Sequence, residues 1–129
     1  MQNVTGLSFT AQANVTYKFK FYIVYTAAAT ATGSRWSISS SQAASMLHYT
    51  STYSLTVSTI TTNQGLTAYD NPTASNATSA TTGSNVAIIE GVIRLPVTGT
   101  ITARFASEVA GSAIIARGGI SHVEFEPLQ

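Results

Sequence analysis

The chain contains no cysteine. That excludes a disulfide framework, a thiolate nucleophile and a thiolate metal site, and it fits assembly in a reducing cytoplasm. Charge is nearly as scarce: 9% of residues are Asp, Glu, Lys or Arg, where a quarter or so is usual. Six basic and five acidic side chains leave a net charge of +1, and Lys18 and Lys20 are the only close basic pair. There is no electrostatic footprint for DNA or RNA, so nucleic acid is not an expected partner. No apolar run approaches the roughly 20 residues that a membrane span needs. The opening residues, Met1-Gln-Asn-Val-Thr-Gly-Leu7, lack the basic and apolar regions of a signal peptide. Neither a membrane nor export is therefore expected.

What fills the gap left by charge is hydroxyl. Ser and Thr replace Lys and Glu on a chain whose hydrophobic fraction, 44%, is ordinary. Thr is β-branched and packs well on a pleated surface, so the composition favours strands. With few charges to repel neighbours, it also favours ordered self-association or docking onto a larger assembly. A length of 129 residues suits one domain, 1–129, with a core that needs no covalent help.

The densest stretch runs from Asn85 to Phe125. Four short apolar runs, broken by Pro96, Gly99, Gly111 and the Gly118-Gly119 pair, read as consecutive strands of one antiparallel sheet system. Their inward positions are expected at Ile89, Ile93, Leu95, Ile101, Ala103, Phe105, Val123 and Phe125. The clearest periodicity lies earlier: Tyr17, Phe19, Phe21, Ile23 and Tyr25 alternate with more polar residues. A period of two is that of a half-buried strand. Tyr22 and Val24 make the opposite face of its C-terminal end apolar as well, which suggests a second layer or a partner there.

Val4, Leu7 and Phe9 mark a first short strand, with a turn over 11–14. Residues 26–33 read as a loop, and Trp36 and Ile38 as a strand with an aromatic anchor. Residues 41–46 allow a single helical turn. Leu47, Tyr49, Tyr53, Leu55 and Val57 predict one long strand over 47–60, or two joined by a bulge near Ser51. Residues 61–85 look least ordered and read as a functional or mobile loop. The total is about eight strands with little or no helix, an all-β fold best closed as a jelly-roll-like antiparallel sandwich.

Motifs for catalysis are missing. There is no Gly-x-Ser-x-Gly elbow and only one aspartate, Asp70. Glu90 and Glu108 could form a glycosidase-like pair, but cross-strand ion pairing among Glu90, Arg94 and Arg104 is the better reading. His48 and His122 lack the spacing of paired metal ligands and are expected as ordinary strand residues. No cofactor is expected. Three formal glycosylation sequons, at Asn3, Asn14 and Asn76, are chance products of a Thr-rich chain. Tyr69, Asp70 and Asn71 stay open as a small sugar site, since aromatic faces stack on sugar rings and Asp and Asn bind hydroxyls.

Several segments taken together resemble a known domain: Val4-Thr-Gly-Leu-Ser-Phe9, Tyr17-Lys-Phe-Lys-Phe21, Ile89-Glu-Gly-Val-Ile93 and Ala103-Arg-Phe-Ala-Ser-Glu-Val-Ala-Gly-Ser112. So does the run from Tyr25 to Trp36. The chain is similar, over most of its length, to a β-domain of tailed-bacteriophage virion proteins. That domain recurs in capsid decoration proteins and at the ends of tail-associated proteins. The resemblance implies a jelly roll, a structural role in the virion and no enzymatic activity. A chain that begins and ends with the domain suits a capsid cement protein better than a tail fibre, which needs a shaft.

The expected function is therefore a homo-oligomeric cement protein, a dimer or a trimer. It would clamp neighbouring major capsid subunits from the outer surface of the capsid, after assembly in the host cytoplasm. Contacts are expected at Val4, Leu7, Tyr22, Val24, Tyr69, Asp70, Asn71, Pro127 and Leu128. The alternative is a receptor- or carbohydrate-binding tip built on Tyr69, Asp70 and Asn71.

Overall fold

The computed structural model describes residues 1–128. Among them are nine strands and no helix: β1 (Gln2–Ala11), β2 (Thr16–Ala27), β3 (Ser34–Ser40), β4 (Met46–Ser54), β5 (Ile60–Leu66), β6 (Asn85–Arg94), β7 (Gly99–Ser107), β8 (Ile114–Ala116) and β9 (His122–Pro127). They form two antiparallel sheets. The smaller has the order β1-β7-β3, and the larger runs β5-β4-β6-β2, with β8 and β9 sharing the far edge of β2. The molecule is an all-β, two-sheet antiparallel sandwich, as the alternating pattern predicts.

β2 owes its place at the heart of the larger sheet to its alternation. Tyr17, Phe19, Phe21, Ile23 and Tyr25 are all buried, because every second side chain of a strand shares one face. Facing them across the sandwich are Phe9, Trp36, Ile38, Ile101, Ala103 and Phe105 of the smaller sheet. Two aromatic groups join the layers. Trp36 stacks on Phe105 at 5.0 Å and tilts against Tyr25 at 4.6 Å, while its Nε1 donates to Ser34 Oγ at 2.9 Å. At the other end Phe9 contacts Tyr17, Phe19 and Phe21 with ring centroids about 6 Å apart.

Several expectations are corrected. β6 and β7 are consecutive in sequence but lie in different sheets, so the stretch from Asn85 onward is not one sheet. Phe125 faces the core side, stacked on Phe9 at 4.6 Å, yet it stays 48% exposed because β9 is an edge strand. Residues 47–60 do not form one strand. A turn closed by Leu55 and Thr56 N–H on Thr59 O separates β4 from β5 and leaves Val57 84% exposed. The irregularity near Ser51 is real but sits in the partner: Tyr49 pairs with Leu66 and Ser51 with Asn63. The extra residue is thus in β5, near Gly65, whose φ is 66°. Residues 41–46 contain no helical turn.

Candidate interaction surfaces

The loop over 67–84 is a strap, bonded along its length. Asp70 N–H donates to Ile38 O at 3.0 Å and Asn76 N–H to Ser34 O at 3.0 Å, so the loop supplies the free edge of β3 with partners. Asn76 then ties the layers together. Its Oδ1 accepts from Ser34 N–H at 2.9 Å, and its Nδ2 donates to Ser54 O and Thr61 Oγ1 at 2.9 and 2.8 Å. Close approach at this point demands Gly33, where a Cβ would stand 1.8 Å from Asn76 O. Thr78 Oγ1 bonds to Leu55 O, and buried Ser79 donates to Thr32 O at 2.7 Å. The apparent disorder of this stretch reflects missing apolar periodicity. Its order comes from side-chain hydrogen bonds to backbone, which hydropathy does not register.

The Tyr69–Asp70–Asn71 trio belongs to this strap. Both Asp70 carboxylate oxygens accept from Arg104 Nη1, at 2.8 and 2.6 Å, and Arg104 Nη2 donates to Met1 O at 2.7 Å. Tyr69 OH donates to Gln42 O at 2.8 Å. Asn71 offers its carbonyl to Tyr49 OH at 3.0 Å, and Ala68 O lies 2.7 Å from the same hydroxyl. Burial pushes the Tyr49 phenol above its ordinary range, against the opposing hydrogen bond from Ser37. The Tyr69 hydroxyl and the Asp70 carboxylate, two of the groups that would read a sugar, are engaged within the chain. Arg104 sits on β7 of the smaller sheet, so it cannot join Glu90 and Arg94 of β6. The ion pairs of the described residues are Arg104–Asp70 and Lys18–Glu126, at 2.6 and 3.2 Å.

The remaining contact candidates divide by burial. Val4 and Leu7 are turned into the core between the sheets, and Val24, on the opposite face of β2, keeps only 7% exposure beside Arg117 and Ser121, which corrects the expected role of all three as contacts. Tyr22 is half-buried on the outer face of the larger sheet, and Pro127 and Leu128 are exposed beyond Tyr17 at the sheet edge. His48 and His122 lie on strand faces as expected. His122 stacks on Tyr22 at 5.3 Å. Among the described residues no cluster of His, Asp or Glu could hold a metal ion.

Register defines the outer face of the larger sheet, because residues directly opposite one another share a face. One row is Thr52–Ile88–Tyr22–His122, and the next is Thr50–Glu90–Lys20–Glu124. Beyond the first row come Val86 opposite Val24 and, on β5, Ile60 opposite Ser54. The result is an apolar half and a charged half. Over the charged half lies a trough of ≈ 830 Å³ lined by Lys18, Lys20, Glu90 and Glu124 among others. Sequence reasoning marked Tyr22 and Val24 but missed Val86, Ile88 and Ile60, since only the register reveals that they stand alongside.

No protein-family model matches the chain, and no curated protein or solved structure matches it at a significant level.

Proposed function

We propose that this chain is a structural protein of a tailed-phage virion, a cement or decoration protein. It clamps neighbouring major capsid subunits from the outer surface of the head, with a jelly-roll-like sandwich as its rigid body. One observation carries the reading beyond the sequence resemblance: large apolar side chains are exposed at both ends of the sandwich. Met46, Val97 and Leu128 lie at the end where β2 begins, and Val57, Ile60, Val109 and Ile115 at the end where it finishes. A protein that bridges subunits needs more than one adhesive surface, and scarce charge keeps the cost of covering those surfaces low. Repetition by symmetry then turns modest contacts into a stable lattice.

The alternative of a receptor-binding tip rests on Tyr69, Asp70 and Asn71, and it weakens because the Tyr69 hydroxyl and the Asp70 carboxylate are bonded inside the chain. Counting copies per major capsid chain in purified particles tests the proposal. A simple fraction amounting to hundreds of copies supports cement, whereas a handful per particle overturns it in favour of a tip.

A further inference from the structure

We propose that two copies of this chain associate through the outer faces of their larger sheets, about a two-fold axis running along the strands between β2 and β6. This deepens the self-association in the functional reading by naming its surface. It is tested on the isolated chain, so it stands or falls separately from any role in a particle.

The first argument is chemical. An outer sheet face in water is ordinarily polar at alternate positions. Here Tyr22, Val86 and Ile88 occupy half-buried outward positions of the two central strands, and Ile60 and Ile115 extend the patch with 62% and 58% exposure. The second argument is area. The axis between β2 and β6 overlays four columns, β4, β6, β2 and the edge shared by β8 and β9; at roughly 4.8 Å spacing and about 30 Å length they make a face on the order of 600 Å². That is roughly three-quarters of the ~800 Å² per partner of a standard interface.

The third argument is charge, and it selects a second copy as the occupant. Lys20 on β2 lies opposite Glu90 on β6. A two-fold axis between these strands exchanges their columns. Lys20 of each copy then stands over Glu90 of the other, and Tyr22 over Ile88. The same operation carries His48, opposite Val92 on β4, over Glu126, opposite Lys18 on β9. Every pairing is made twice, because the interface is isologous. Apolar meets apolar and opposite charges meet, with no like-charge contact among these residues. A different partner would have no reason to match a pattern that is complementary to itself.

Sedimentation velocity across a concentration series, with circular dichroism to verify folding, is the test. The wild-type chain is expected to dimerise. Lys20→Glu places two carboxylate pairs against each other and should raise the dissociation constant on the order of 100-fold. The double variant Lys20→Glu/Glu90→Lys restores complementarity and should restore the dimer. Ile88→Glu, on the half-exposed outer face, should also give a folded monomer. A wild-type monomer at every concentration, a trimer, or a dimer indifferent to all of these variants overturns the proposal.

Discussion

The outer faces of the two sheets follow the same strand geometry and differ in what they present. On the smaller sheet the outward rows are Thr10–Thr100 and Ser8–Thr102–Ser39, hydroxyls that water satisfies. Its β3 edge is closed by the strap. On the larger sheet the corresponding positions include Tyr22, Val86 and Ile88, apolar side chains that stay half-buried. One face presents hydroxyls and an edge closed by the chain itself, and the other carries apolar side chains on its outside. Strand periodicity is common to both, so the difference lies wholly in the choice of outward residue.

Breaking the finished side should cost the most. Asn76→Ala removes the hydrogen bonds to Ser54 O, Thr61 Oγ1 and Ser34 N–H and strands partly buried groups on both sheets. A loss of about 3 kcal/mol is expected, read as a lower midpoint in urea unfolding. The same variant should leave self-association through the larger sheet unchanged once it is folded.

A smaller effect is expected at Asp70. Arg104 is the more enclosed partner, with 22% side-chain exposure against 41% for Asp70, and its Nε already lacks a hydrogen bond. Asp70→Ala leaves this guanidinium short of its counter-charge, at a cost of about 1–2 kcal/mol after allowance for solvent screening. In a thermodynamic cycle with Arg104→Ala the two losses should be non-additive. If Asp70→Ala abolished adsorption to a host with stability unaltered, the residue would be a ligand contact and not a latch.

The sandwich was legible from residues such as Tyr17 to Tyr25, where a strict period of two leaves no competing reading. Trp36 as a core anchor and His48 and His122 as strand residues were equally plain. The partition into sheets was not. Arg104 was expected near Glu90 because the connection between β6 and β7 is short, yet that connection crosses the sandwich. Phe125 failed for a related reason: alternation fixes the face of a side chain but not its distance from the sheet edge. The strap was misjudged because Asn76, Thr78 and Ser79 act through hydrogen bonds to distant backbone. The apolar outer patch became visible only when register set β6 beside β2.

The finest contrast lies among the buried tyrosines, and pH exposes it. Tyr49 OH is held by the strap, whereas Tyr25 OH and Tyr53 OH are buried with no hydrogen-bond partner. Burial raises the pKa of both Tyr25 and Tyr53 above the ordinary 10.0, because a phenolate in the core is poorly solvated. Nearby Ser34 and Ser54 ease the Tyr25 phenolate, and Asn63 that of Tyr53, without reversing this direction. In the unfolded chain these phenols ionise near the ordinary value, so above it the unfolded state holds fewer protons than the folded one. The linked stability is therefore fully present below about pH 10 and is lost as pH rises toward the folded pKa. Tyr25→Phe and Tyr53→Phe remove a hydroxyl that has nothing to bond with, and each should change stability at neutral pH by no more than about 0.5 kcal/mol. Each should also flatten the fall in melting temperature above pH 10. Tyr49→Phe takes away a bonded hydroxyl and should lower the melting temperature at neutral pH too. Equal behaviour of all three variants in a pH series of thermal melts would mean that the strap does not distinguish Tyr49 from the tyrosines buried between the sheets.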